Sequence, residues 1–261
     1  MTSLKAEKLN VGYEENIIIR DMDVAFPAQK ITAIIGPNGC GKSTLLKAMA
    51  RLQKTAGGAV YLDGKSIDKM PTREIARKMA ILPQGPEAPG GLTVYDLIAY
   101  GRTPYQSGFS RLNKHDREMI EWALEVTALS DLRDRDVDTL SGGQRQRAWI
   151  AMSIAQETDL LLLDEPTTYL DLAHQLEVLQ LLDRLNKEQQ RTIVMVIHDL
   201  NHASRYAGHL VAMKQGAIIK EGGPDEVIAP SVLRDVFHID AEVVTDSRTG
   251  KPALLSYDLL D

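Results

Sequence analysis

Gly36-Pro37-Asn38-Gly39-Cys40-Gly41-Lys42-Ser43 sets two glycines with four residues between them, then a lysine and a hydroxyl. Chemistry with phosphate needs such a run. Glycines let the backbone curl until several N–H groups point at one anion, and a helix that follows aims its positive end at the same place. Lys42 can reach the β- and γ-phosphates of a nucleotide, Ser43 can hold Mg2+, and Thr44 carries the loop into the helix. By composition alone a match arises in roughly one chain per hundred of this length.

A second group follows at Leu160-Leu161-Leu162-Leu163-Asp164-Glu165-Pro166, an apolar run ending in two carboxylates. At the mouth of a buried strand Asp164 is placed to hold Mg2+ through water. Glu165 can polarise an attacking water as general base. Between the two groups lies Leu140-Ser141-Gly142-Gly143-Gln144, whose glycines and helix start give another place where backbone N–H groups can meet a phosphate.

The elements around these residues predict their placement. Ile31–Ile35 is a compact β-branched run before the glycine loop, and a helix pattern runs from Lys42 to about Gln53. Leu4 to Phe26 reads as short strand-like pieces punctuated by Gly12 and Glu14–Asn16. Val60–Leu62 and Ala80–Pro83 read as strands, and Gly85–Gly91, with Pro86 and Pro89, breaks regular structure. Helical patterns hold from Thr93 to about Leu132 and from Ser141 to Ala155. Strand Leu160–Leu163, helix Leu172–Lys187, strand Ile193–Ile197 and helix Leu200–Ala207 then alternate, and short strands follow from about His238. Alternation of this kind predicts an α/β fold with a parallel-sheet core and a helical insertion. Leu172, Leu176, Leu179, Leu182 and Leu185 form an apolar stripe expected in the core, and the charged run Asp131–Asp138 is expected to be a solvated face.

The 261 residues suffice for one sizeable core with a subdomain and a short tail. A net charge of −6 and a pI near 5.6 argue against nucleic acid as a partner. Cys40 is the lone cysteine, which excludes an internal disulfide and fits a reducing compartment. No run approaches the ~18 apolar residues of a membrane span, and the first residues lack the apolar stretch of a secretory signal.

Taken together, the glycine loop, the Leu140–Gln144 pentapeptide and the acidic strand resemble the ATP-binding-cassette family over about residues 3 to 236. That resemblance implies a P-loop NTPase (RecA-like) parallel-sheet core with an N-terminal antiparallel β subdomain and an inserted α-helical subdomain at about 86–158. Residues 237–261 are left as a short C-terminal appendage. It assigns Tyr13 to stacking on adenine, Gln84 to contact with Mg2+ and the water, Asp171 to contact with an opposite subunit, and His198 to the γ-phosphate. The glycine loop, Gly36, Pro37, Asn38, Gly39, Cys40, Gly41, Lys42, Ser43 and Thr44, would hold ATP, with Cys40 where the family often has a non-thiol residue. Glu165, His198, Gln84 and Lys42 would be catalytic, and Ser43, Gln84 and Asp164 would hold Mg2+.

The same resemblance implies a head-to-tail homodimer, with Ser141, Gly142, Gly143 and Gln144 of one copy closing over ATP held by the other. Residues 92–104, 169–175 and 198–203 are similar to ATPases of ferric-siderophore importers; those for cobalamin or haem share much of this pattern. The implied setting is the cytoplasmic face of the cell membrane, with transmembrane permease subunits as partners. An extracellular or periplasmic substrate-binding protein would act indirectly. A soluble non-transport ATPase of the family is the remaining alternative. Residues 84–110 are the expected groove for a short permease helix, with Gly85–Gly91 as its hinge.

Overall fold

The computed structural model describes residues 2–13, 16–106 and 111–260. Glu14 and Glu15 of the expected early break, residues 107–110 of the expected permease groove, and Asp261 of the appendage lie outside them. The chain divides into two compact units, Met1–Lys69 with Thr192–Asp261, and Met70–Arg191.

In the first unit, β1 (Leu4–Tyr13) pairs antiparallel with β2 (Asn16–Phe26) and with β4 (Thr55–Leu62), and β4 with β5 (Lys65–Ser66). The opening section is thus two long strands, not short pieces. Their irregularity is taken up by bulges at non-glycine residues, with Lys8 and Asp21 in the left-handed region. β4 begins five residues earlier than the expected Val60 because Gly57 and Gly58 belong to the strand. A Cβ on Gly58 would lie 2.1 Å from the Lys8 carbonyl oxygen, so this glycine permits a close backbone approach and does not break the strand.

β3 (Ile31–Ile35) runs parallel to β8 (Thr192–Val196) and to β9 (His209–Lys214), and β10 (Ala217–Gly222) closes that side antiparallel to β9. β3 and β8 are buried at every position, as expected of parallel strands covered on both faces. Each buried Ile or Val there contributes about 1.5–3 kcal/mol by leaving water. α1 (Lys42–Met49) follows β3 but ends four residues short of Gln53. Arg51 turns left-handed, and the N–H groups of Leu52 and Gln53 both fold back onto the Lys47 carbonyl.

In the second unit, α2 (Thr72–Ala76) leads to β6 (Met79–Leu82), which pairs parallel with β7 (Leu160–Asp164). Between them come α3 (Val94–Tyr100), α4 (Lys114–Val126) and α5 (Gly142–Ala155), and after β7 comes α6 (Leu172–Gln189). Thr93, Asn113 and Ser141 open α3, α4 and α5 with capping boxes closed by Asp96, Asp116 and Gln144. Arg102 knots the three helices together: Nε donates to Asp116 Oδ1 at 2.9 Å, and Nη1 donates to the Ala155 carbonyl at 2.7 Å. The Tyr105 ring lies 4.1 Å from the guanidinium. The charged run 131–138 is solvated as expected, with Asp131, Asp134, Arg135 and Asp138 exposed, while its backbone carbonyls at Arg133 and Arg135 accept the N–H groups of Tyr95 and Val94. The leucine stripe of α6 departs from expectation at its start. Leu172 is 65% exposed, and the first buried residue of the helix is Val178.

α7 (Leu200–Tyr206), α8 (Pro224–Val227) and α9 (Pro230–Phe237) complete the first unit, with an antiparallel ribbon of β11 (Ile239–Thr245) and β12 (Pro252–Leu259). Ser204 Oγ donates to the Pro252 carbonyl and pins the ribbon to α7.

Candidate active site

In the first unit, Gly36 to Gly41 fill the turn between the C-terminal end of β3 and the start of α1. Gly36 has φ 151°, and a Cβ there would lie 2.2 Å from the Met213 carbonyl oxygen on β9, so the loop can leave the sheet here only through glycine. Lys42 is 5% exposed, and its Nζ donates to the carbonyls of Gly36 at 2.8 Å and Pro37 at 2.9 Å. Those two bonds centre the ammonium over the loop. The first turn of α1 holds no acidic residue and its N-cap is Gly41, so no side-chain carboxylate offsets the positive helix end. Asn38 and Gly39 are exposed at the loop tip.

Cys40 is buried, and its carbonyl accepts the Gly216 N–H at 2.9 Å. Burial pushes its thiol pKa up, against the opposing charge of Lys42. His198 comes two residues after β8, and β8 lies beside β3 with Ile34 opposite Val196. The Ile197 N–H bonds to the Ile34 carbonyl at 3.2 Å, so parallel pairing brings the exposed His198 to the same sheet edge as the glycine loop. That edge, outside the carboxyl ends of parallel strands, is where α/β folds bind ligands. Tyr13 ends β1 with 46% of its surface exposed, which is compatible with a face offered for stacking.

The second unit repeats the logic. Leu82 pairs with Leu163, so Gln84 and the Asp164–Glu165 pair emerge together at the ends of β6 and β7. Asp164 is 2% exposed. Glu165 has φ 54°, a left-handed conformation for a residue with a side chain, and strain of this kind collects at sites that need one fixed direction. Its Oε2 accepts from Gln84 Nε2 at 2.8 Å and from Thr168 Oγ1 at 2.9 Å. A carboxylate so held can accept a proton from water without first being reoriented.

Ser141 is the N-cap of α5: its Oγ accepts the Gln144 N–H at 3.3 Å and Gln144 Oε1 accepts the Ser141 N–H at 3.1 Å. Asp171 is the N-cap of α6, taking the His174 N–H on Oδ1 at 2.9 Å. The same oxygen is 2.8 Å from His174 Nδ1. The backbone N–H of His174, then its ring, hold the Asp171 carboxyl below the usual carboxylate range. The same ring lies against Gly143, so the Ser141–Gln144 segment and Asp171 meet through a histidine.

Thus the first unit gathers Gly36–Thr44 with His198, and the second gathers Gln84 with Glu165, and Gly143 with Asp171. Sequence reasoning missed Thr168 and His174. Thr168 lies three residues after Glu165 and His174 three after Asp171, spacings at which a turn brings side chains together.

Comparison with known proteins places the chain in a family. The family model described as ABC transporter matches residues 19–168. The iron(3+)-hydroxamate import ATP-binding protein FhuC of Bacillus subtilis (strain 168) is 62% identical over 260 residues, covering 100% of this chain and 97% of that protein. The ferric enterobactin transport ATP-binding protein FepC of Escherichia coli (strain K12) is 45% identical, over 97% of this chain and 93% of that one. Among solved structures, an inward-facing transporter described as of metal-chelate type superposes with a TM-score of 0.83 at 28% identity, covering 97% and 96% of the two chains. A dimeric ATP-binding cassette in a post-hydrolysis state, bound to ADP and Pi, superposes with a TM-score of 0.74 at 27% identity, over 84% and 98%. The chain belongs to the ABC transporter family.

Proposed function

We propose that the chain hydrolyses ATP as one of two identical subunits that energise uptake of a ferric siderophore through a separate membrane permease. The observation that carries hydrolysis is the Glu165 carboxylate, held by Gln84 and Thr168 at the end of the strand that carries Asp164. The backbone N–H groups of Gly36 to Thr44 bind the phosphates, Lys42 and His198 meet the γ-phosphate, and Tyr13 stacks on adenine. Glu165 takes a proton from water as the water oxygen attacks the γ-phosphorus, and the β–γ bridging oxygen leaves with ADP.

Ser43, Asp164 and Gln84 offer a hydroxyl, a carboxylate and an amide oxygen, hard donors that suit Mg2+ better than a soft metal. When bound, Mg2+ neutralises charge on the β- and γ-phosphate oxygens. Ser141 to Gln144 of the second copy close over the nucleotide, with Asp171 at the contact between copies, so binding of ATP favours the closed pair and hydrolysis releases it.

Iron uptake is supported by relatives whose names specify hydroxamate, enterobactin and petrobactin systems, at up to 62% identity over the whole chain. No described helix is long and apolar enough to cross a membrane, and coupling is proposed to run through a permease. The stretch of about residues 84–110 is the proposed contact, with irregular Gly85–Gly91 as its hinge. On this reading the chain works at the cytoplasmic face, a substrate-binding protein acts from the other side, and nucleic acid plays no part. The test is uptake in cells lacking the chain. The wild type is expected to restore import of radiolabelled ferric hydroxamate and to copurify a permease, and Glu165→Gln to restore nothing. Restored import of cobalamin or haem, and not of iron, would overturn the cargo.

A further inference from the structure

His174 stands between two segments that the proposed function places against the facing copy. On one side its Nδ1 is 2.8 Å from Asp171 Oδ1, which also caps α6 through the His174 N–H. On the other side the ring is packed against buried Gly143 in the first turn of α5. A Cβ at Gly143 would lie 2.6 Å from His174 Cδ2 and 2.9 Å from Cγ, so no larger residue fits while the ring keeps this place. An exposed histidine–carboxylate pair on its own contributes little, because water and salt screen it. Here the pair fixes the orientation of a ring whose edge meets another element.

We infer that His174 is a positioning residue that couples Asp171 to the Gly142–Gly143 start of α5, so that both segments meet the second copy in one fixed arrangement. This rests on the proposed ATP-dependent pairing of two copies. The imidazole works by position, between Asp171 and Gly143. It acts by holding the Asp171 carboxylate with Nδ1 and by setting, with its carbon edge, how far the first turn of α5 can shift toward α6.

The test is a double-mutant cycle on the full chain carrying Glu165→Gln, reading the ATP-dependent dimer dissociation constant, with affinity for a fluorescent ADP analogue as a check on the glycine loop. His174→Ala and Gly143→Ala are each expected to weaken the dimer about ten-fold or more, and the double variant to be little worse than His174→Ala. Removing the ring removes the clash. His174→Asn sets an amide N–H where Nδ1 sits and is expected to recover most of the dimer, with ADP affinity unchanged throughout. Additive losses, or a His174→Ala dimer as tight as the parent, would overturn the coupling while leaving the paired reading intact. A parent that fails to pair with ATP would overturn both.

Discussion

Gln84 Nε2 donates to Glu165 Oε2 at 2.8 Å, across 81 residues of sequence, and Thr168 Oγ1 donates to the same oxygen from three residues further along the chain. The two donors fix the direction of a carboxylate whose backbone is already in an uncommon conformation.

Removal of either donor is therefore expected to act on turnover and not on ATP affinity. A hydrogen bond to a charged group contributes about 1.5–3 kcal/mol, so Thr168→Val should lower kcat by about ten-fold or more while KM for ATP stays within about two-fold. Gln84→Ala should lower it further, because the same side chain is proposed to meet the metal. Steady-state ATPase assays check both, and a Thr168→Val enzyme with wild-type kcat would show that Glu165 needs no such holding.

Cys40 gives a pH-dependent handle on the glycine loop. Burial raises its thiol pKa, so near neutral pH the group is a neutral thiol and the reactive thiolate is scarce. Alkylation at pH 7 is expected to be slower than for a free thiol and to accelerate as pH rises. ATP should slow it further, because phosphates seated on the loop close the approach. Mass spectrometry of iodoacetamide-treated protein reads this, and equal rates with and without ATP would contradict it.

The helices of the second unit depend on the Arg102–Asp116 pair, whose side chains are 1% and 3% exposed. Asp116→Ala leaves the guanidinium with the Ala155 carbonyl, partly exposed Glu157 and the face of Tyr105. The expected loss is about 3 kcal/mol, and the joint change Arg102→Met with Asp116→Leu should cost less than Asp116→Ala alone. Urea unfolding measures the difference. An Asp116→Ala midpoint equal to wild type would mean that Glu157 alone balances the charge.

The parts legible in the sequence were those where chemistry and local geometry coincide. The glycine loop could be placed because β-branched Ile31–Ile35 precedes it and Lys42 opens a helix. The start of α5 could be placed because Ser141 and Gln144 form a capping box from neighbouring residues. Left-handed turns at residues with side chains were illegible. Arg51 stops α1 early, and Lys8 kinks β1 into a bulge that keeps a long strand continuous. Illegible too were contacts whose meaning depends on a partner brought by folding. Thr168 reads as a loop hydroxyl until Glu165 turns toward it, and His174 as a helix residue until Gly143 is seen to make room for its ring. Leu172 shows the converse: its place in an apolar stripe predicted burial, yet it is 65% exposed in the first turn of α6, ahead of the first buried residue, Val178.

The most direct test of the account is to follow ATP turnover and mass in solution for the wild type and Glu165→Gln with Mg2+ present. The account predicts that turnover falls at least about hundred-fold while the variant still binds ATP and accumulates as a two-copy species. Turnover near the wild-type rate, or ATP bound by single copies that never pair, would contradict it.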